Sequence, residues 1–381
     1  MTAPRVFFYV QHLLGIGHLK RAATLAQALA AGGLQVTLGS GGAPVPGMRP
    51  DGVDFVQLPP ASAADLSFRS LVDGDGRAVD DAWKRRRGAA LLDAWRAANA
   101  RVLVLELYPF GRRQMRFELL PLLEAAAARA PRPIIVCSLR DILGAPKTLE
   151  RQQETLELVE RYIDRVLVHG DPRVISFDRS FAAARQVAHK LEYTGYVVSP
   201  AKAGGEAGKG EVVVSVGGGA VGARLLEVAL AAKPLCNLRD RTWRLLAGAN
   251  LPSEAFQGLA RANGVQVERA RADFTTLLAN CELSISQAGY NTLLETVQAR
   301  ARAVVVPFAG GNETEQTLRA RCFAERGLVE MLEESMLTPA ALAAAIDRAA
   351  GRPKPGPGVV DLDGARKSAE LIAQWTVGRA A

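Results

Sequence analysis

Short apolar, β-branched runs alternate along this chain with longer stretches in which apolar residues recur every three or four positions. The opening run Val6-Phe7-Phe8-Tyr9-Val10 predicts a buried strand, His18 to Ala31 an amphipathic helix, and Leu34 to Leu38 a second strand. Arg101 to Leu107, Ile134 to Ser138 and Arg165 to His169 predict further strands, with a helix from Phe117 to Ala130 between the first two. Strand, helix, strand at this spacing implies a parallel sheet wrapped by helices.

The pattern breaks at Ser199-Pro200, and the glycine-rich stretch Ala203 to Gly210 reads as a linker. It resumes with a strand over Glu211 to Val216 and a helix over Val221 to Ala232. Strands are expected at Leu235 to Leu238, Val265 to Arg269, Leu283 to Ser286 and Ala303 to Pro307. The reading is two α/β domains in tandem, 1–200 and 201–355. Beyond a proline break at Pro353 to Pro357, an amphipathic helix is expected over Ala365 to Val377.

Composition narrows the class. A chain of 381 residues suits two domains, and 49% hydrophobic with 23% charged residues is globular rather than disordered. Cys137, Cys236, Cys281 and Cys322 form no CxxC pair, so reduced thiols in a cytoplasmic protein are expected, without a zinc site. Met1 to Arg5 leads directly into the first apolar run, and no signal peptide is expected there. No run of 18 apolar residues predicts a membrane-spanning helix. The net charge of +8 favours anionic partners, although scattered arginines on a solvated surface explain it as well.

Three strand ends lead into glycine-rich turns that open helices, where backbone N–H groups attract phosphate. The first, Gln11 to His18, lacks the third glycine of a dinucleotide fingerprint, and no acid follows the second strand, which disfavours a nicotinamide dehydrogenase. The second carries Gly217, Gly218 and Gly219, and a tight strand-to-helix connection accounts for it equally. The third is the most informative. Ser286, Gly289, Asn291 and Thr292 sit at a strand-to-helix turn, with Asn291 or Thr292 expected as N-cap and the helix start expected to hold a diphosphate. Glu295, one turn further, is placed to accept hydrogen bonds from ribose hydroxyls. The acid pairs Asp73/Asp75 and Asp361/Asp363 read as solvated turns, and no catalytic metal or cofactor is expected.

These residues carry a resemblance. Gly15-Ile16-Gly17-His18-Leu19-Lys20-Arg21-Ala22 resembles the amino-terminal signature of glycosyltransferases related to the enzyme that adds N-acetylglucosamine to the peptidoglycan lipid precursor, a family 28-like group. Ser286 to Glu295, Val304 to Phe308 and Glu313 to Ala320 are similar to that group's donor-binding half. Glu106 to Arg113 and Glu118 to Leu123 look typical of a bacterial branch of predicted glycosyltransferases.

The resemblance implies the GT-B fold: two facing Rossmann-like domains with the active cleft between them, the last helix crossing back onto the first. It implies a UDP-sugar donor held by Gly217 to Gly219, Ser286, Gly289, Asn291, Thr292, Glu295, Glu315 and Gln316, with Gly17 in the first turn. Base recognition is expected near Arg269 to Phe274.

His18, at the first helix start, is the expected general base toward an acceptor hydroxyl, the alternative being a local cap. Glu106, at a strand end, is a second acid/base candidate, with an ion pair to Arg112 or Arg113 as the equal alternative. His12, His169 and His189 are expected to be structural. The expected reaction is metal-independent transfer with inversion from a nucleotide-sugar to a small-molecule or lipid-linked hydroxyl; a nucleotide-sugar hydrolase of the same fold is the alternative. No nucleic-acid partner is expected. The basic run Lys84-Arg85-Arg86-Arg87 reads either as peripheral contact with an anionic membrane surface or, equally, as a solvated basic surface.

Overall fold

The computed structural model describes residues 3–65, 70–144, 148–201, 204–216, 222–248, 251–262, 264–269, 271–310 and 314–378. The chain divides into two compact units: Met1–Val197 with Asp361–Ala381, and Val198–Val360.

The first unit is built on seven strands: β1 (Arg5–Val10), β2 (Gln35–Ser40), β3 (Asp54–Gln57), β4 (Val102–Glu106), β5 (Ile134–Arg140), β6 (Arg165–His169) and β7 (Leu191–Tyr193). They form one parallel sheet in the order β3-β2-β1-β4-β5-β6-β7. Strand β1 buries both faces. Phe7 and Tyr9 enter the core on one side, and Val6, Phe8 and Val10 the core on the other. Helix α1 (Gly17–Ala31) covers the second face with Leu19, Ala22, Leu25, Ala26 and Leu29, at the spacing that puts them on one stripe. It stops at Gly32-Gly33, where Gly33 takes a left-handed φ of +87°.

Helices α2 (Asp81–Ala98), α3 (Arg116–Ala128) and α4 (Leu149–Tyr162) belong to the same unit; α2 is capped by Asp80, whose side chain accepts the N–H of Trp83. Sheet order reverses between β1 and β4, so the loops leaving these strands meet outside the carboxyl edge, the usual ligand position in open α/β sheets.

The second unit repeats the scheme with β8 (Val212–Ser215), β9 (Trp243–Ala247), β10 (Val265–Arg269), β11 (Leu283–Ser286), β12 (Ala303–Val305) and β13 (Glu330–Met331), ordered β10-β9-β8-β11-β12-β13. Its helices are α5 (Ala223–Ala232), α6 (Ser253–Ala260), α7 (Phe274–Asn280), α8 (Tyr290–Gln298), α9 (Glu315–Ala324) and α10 (Pro339–Ala350). The chain then returns to the first unit. Helix α11 (Gly364–Gly378) packs Ala369 and Ile372 into the core that α1 covers. Tyr196 donates its N–H to Asp361 O, and Gly364 N–H returns to Tyr196 O. A Cβ at Gly364 would fall 2.3 Å from Gly195 O, so this approach requires glycine.

Two sequence expectations fail. Leu235 to Leu238 is not a strand: Lys233–Leu235 forms a 3-10 turn after α5, and the strand lies at Trp243–Ala247. Pro234 lacks a ladder N–H, whereas Trp243 and Leu245 alternate into the core around Arg244. The glycine-rich stretch, apart from Lys202 and Ala203 outside the described residues, is docked rather than spanning. Asn280 at the end of α7 donates to Gly205 O and Ala207 O at 2.8 and 3.0 Å, and the units divide earlier, at Val197 and Val198.

Candidate functional site

In the first unit, the carboxyl edge collects His18 from the start of α1, Glu106 from the end of β4, and Arg140 from the end of β5. The Arg140 guanidinium donates to His18 Nε2 at 2.8 Å. That fixes the imidazole proton on Nδ1, which donates to Glu106 Oε1 at 2.7 Å. Arg21, one turn along α1 and fully buried, pairs with the same Glu106 oxygen. Oε2 of Glu106 is buried and makes no hydrogen bond within the protein. The His18 side chain keeps 17% exposure while that of Glu106 has none, so the imidazole is the member of the pair that a ligand can touch.

The charges decide the protonation states. Burial pushes the His18 pKa down; Glu106 pulls against it, the positive charges of Arg140 and Arg112 add to the lowering, and the imidazole is left at about 3. Glu106 is driven below the usual carboxylate range: burial opposes ionisation, but His18, Arg21 and Arg112 together override it. At neutral pH the pair is therefore a neutral imidazole held by a carboxylate.

Behind it, His169 at the end of β6 takes a hydrogen bond from Ser138 on Nε2 and gives one from Nδ1 to Thr194, at 2.8 and 2.9 Å. It is fully buried and held neutral, mainly by burial. His12 sits against Ala43 O at 3.0 Å, and His189 faces Glu160 at 3.5 Å on the surface.

In the second unit, β11 ends at Ser286 and α8 begins at Tyr290. The N-cap is Gly289, with no side-chain cap, which corrects the expectation of Asn291 or Thr292: both already lie inside the helix. The physical reason is the backbone: Gly289 is extended at φ −60° and ψ 142°, and the helix already runs from Tyr290. A Cβ at Gly289 would meet nothing within 4 Å, so the helix start faces unfilled space. First-turn N–H groups lack intrahelical acceptors and, with the helix dipole, favour an anion.

Ser286 pairs in register with Ser215, the last residue of β8, and both hydroxyls are buried without hydrogen bonds in the protein. Glu295 is buried one turn into α8. On α9, Glu315 pairs with the buried Arg319 at 2.7 Å, and that guanidinium lies 5.2 Å from the Tyr290 ring centroid, tying α9 to the start of α8. Gln316 Oε1 accepts the Phe308 N–H at 3.2 Å. Gly217, Gly218 and Gly219 lie outside the described residues.

Residues 213–355 match the glycosyltransferase family 28 C-terminal domain. That match lies within the second unit. The chain is 29% identical over 223 residues to the UDP-N-acetylglucosamine--N-acetylmuramyl-(pentapeptide) pyrophosphoryl-undecaprenol N-acetylglucosamine transferase of a Polaromonas species, covering 53% of this chain and 52% of that one. The protein of the same description from Xanthomonas oryzae pv. oryzae is 32% identical over 186 residues, 47% of this chain and 40% of its own. The chain thus spans about half the length of the curated relatives it matches.

Solved structures extend the likeness, in fold alone, over nearly the whole chain. MurG of Acinetobacter baumannii superimposes with TM-score 0.59 at 16% identity, covering 97% of this chain and 100% of that one. Os79 from O. sativa, solved with UDP, gives 0.61 at 15% identity, covering 97% and 99%. The fold is that of the GT-B glycosyltransferases.

Residue type and motif single out His18 and Glu106 but not their arginines. Glu106 binds His18 and Arg21, not Arg113; Arg113 pairs with Glu154 at 3.0 Å. Arg21 is three residues from His18 on the same helix face, and Arg140 ends a strand, so both signals were present. Arg87, assigned to an exposed basic patch, is fully buried: it pairs with Glu118 at 2.9 Å and donates to Gly41 O and Tyr9 Oη at 3.0 Å. The helical period explains it, since Arg87 shares the inward stripe of α2 with Leu91 and Trp95 while Arg85 and Arg86 face solvent. No described helix is long and apolar enough to cross a membrane.

Proposed function

We propose that this chain is an inverting glycosyltransferase that moves a sugar from a UDP-sugar to a hydroxyl acceptor without a metal. The observation that carries the proposal is the hydrogen-bonding order around His18: Nδ1–H is held by Glu106, which aims Nε2 as the basic atom. The acceptor oxygen attacks the anomeric carbon as the bond from that carbon to the diphosphate oxygen breaks. The acceptor proton passes to Nε2, and the ionised Glu106 stabilises the imidazolium that forms, as the acid of a hydrolytic triad does.

On the donor side the proposed roles follow the residues of the second unit. The start of α8 at Gly289, Asn291 and Thr292, with Ser286, holds the diphosphate and accepts its developing charge. Glu295 holds the ribose, and Glu315 and Gln316 meet the sugar hydroxyls. Relatives named for UDP-N-acetylglucosamine support a UDP-sugar, and their undecaprenol-linked acceptor supports a lipid-linked one.

The test is product analysis after incubating the chain with UDP-N-acetylglucosamine and hydroxyl acceptors, lipid-linked and soluble. A glycosylated acceptor that disappears with His18→Asn supports the proposal. Free sugar released at full rate without acceptor makes the chain a hydrolase, with His18 activating water. Neither product, across several UDP-sugars, overturns the activity.

A further inference from the structure

The turn that delivers His18 is held from beneath by a buried amide that the chemistry above leaves out. Gln11, the first residue after β1, is fully buried. Its Nε2 donates to His12 O at 2.8 Å and, beyond β3, to Ala61 O at 2.9 Å. Its Oε1 accepts from Arg87 Nη2 at 3.0 Å. A guanidinium only donates, so the amide has one orientation, with both Nε2 protons committed to those two carbonyls.

Arg87 extends the anchor. Paired with Glu118 of α3, it also donates to Gly41 O and Pro59 O, so one guanidinium and one amide tie together the loops that leave β1, β2 and β3. The Tyr9 hydroxyl takes a hydrogen bond from Arg87 at 3.0 Å and donates to Glu118. A Cβ at Gly41 would collide with Gln11 Oε1 and Arg87 Nη2, so the loop after β2 passes as bare backbone. Apolar side chains of the same volume often stabilise a core as well as such a buried ion pair does, and stability alone therefore gives this cluster no purpose.

The segment it fixes runs from Gln11 to His18. His12 and Leu13 are buried, and Leu13 O accepts the Ala63 N–H at 3.0 Å. Leu14, Gly15, Ile16 and Gly17 are then exposed, and α1 has no side-chain cap at Ile16. This exposed turn is set from its two ends, by Gln11 before it and by α1 after it. The imidazole itself is held by Glu106 and Arg140, which leaves its surroundings as the part that Gln11 can set.

We propose that Gln11 is a positioning residue, which through His12 and the exposed turn sets the opening by which Nε2 of His18 is reached. Its amide is the only group of the cluster that bonds to the turn's own backbone, among the hydrogen bonds described above. The inference rests on the proposed role of His18, and its first test does not require that role.

Gln11→Glu keeps an acceptor for Arg87 but turns an oxygen toward two carbonyls, and should release the turn. Acylation of the full chain by diethyl pyrocarbonate, followed by peptide mass spectrometry, reads access to each imidazole. The exposed His189 serves as internal reference. The His18 rate relative to His189 should rise about tenfold, the scale of one lost hydrogen bond. Gln11→Met, which drops the donors without adding charge, should do the same. Tyr9→Phe frees Glu118 but leaves both Nε2 donors in place, so it should lower the urea midpoint and leave the ratio unchanged.

An unchanged ratio in a folded Gln11 variant, or an equal rise in Tyr9→Phe, overturns the proposal. Failure of both Gln11 variants to fold makes the residue a structural one and overturns it too. The kcat for consumption of UDP-N-acetylglucosamine, by transfer or hydrolysis, should fall about tenfold in Gln11→Glu with its KM unchanged. Wild-type kcat there also counts against positioning. A wild type that consumes no UDP-sugar refutes the transferase reading instead, and the acylation ratio still decides the role of Gln11.

Discussion

Arg140 donates to His18 Nε2 at 2.8 Å, on the lone pair through which a general base must act. If His18 is the proposed base, it is covered at rest, and proton transfer requires the guanidinium to swing aside. Arg140 also holds His18 neutral, since its positive charge adds to burial in lowering the imidazole pKa. Arg140→Ala should therefore raise the His18 pKa from about 3, read by NMR titration of the imidazole. A pKa that does not move would mean that burial and Arg112 alone keep the ring neutral.

Removing the base should cost turnover and spare the donor. His18→Ala is expected to lower kcat by on the order of 10²–10⁴-fold with UDP affinity unchanged. His18→Asn keeps a hydrogen-bonding side chain but accepts no proton, and should fall nearly as far. Wild-type turnover in a folded His18→Asn protein would sink the base assignment.

Stability should fall on mild acidification. The folded His18 protonates only near pH 3, whereas the unfolded side chain protonates near 6.5. As the pH falls, the unfolded chain binds that proton first, so the contribution is complete above about 6.5 and is lost below it. His169, also lowered, acts in the same direction, and Glu106 joins below about 4.5. Urea midpoints should drop between pH 6.5 and 4.5, less steeply in His18→Asn. A midpoint constant across that window contradicts the neutral buried histidines.

Glu295→Gln retains the shape of the side chain and exchanges a charged acceptor for an amide. If Glu295 holds the ribose hydroxyls, UDP affinity should weaken by about 1–3 kcal/mol in calorimetry. Unchanged affinity would assign Glu295 to the packing of α8.

The two ends of the basic run on α2 should behave oppositely. Arg87→Gln breaks a buried ion pair with Glu118 and should cost about 3–5 kcal/mol in urea unfolding. Arg85→Gln and Arg86→Gln, on the exposed face, should change stability by roughly 0.5 kcal/mol or less. If anionic vesicles bind this face, the exposed pair alone should govern the salt-sensitive part of that binding.

The fold was legible wherever apolar spacing was strong. β1, α1, β6 and β11 lie within a residue or so of their expected bounds because each fills a continuous core. Periodicity failed at Leu235 to Leu238, where a proline-broken apolar run imitates a strand, and at Arg87, where charge masked an inward helical position. At the site, residue type and element position exposed His18 and Glu106, but not the guanidiniums that set their protonation. Helix face and strand end mark Arg21 and Arg140, but they reach Glu106 and His18 from 85 and 122 residues away, so which group each meets is set by the order of the sheet.

The return of the chain at Asp361 makes the second unit an insertion in the first. Its two ends leave and re-enter beside each other, where Val197 bridges to Asp363 and Gly195 meets Gly364. A whole module can therefore be exchanged at two adjacent splice points without cutting the first core. Transplanting residues 198–360 from a relative with another nucleotide-sugar would show whether donor specificity travels with that module, as the proposed roles require.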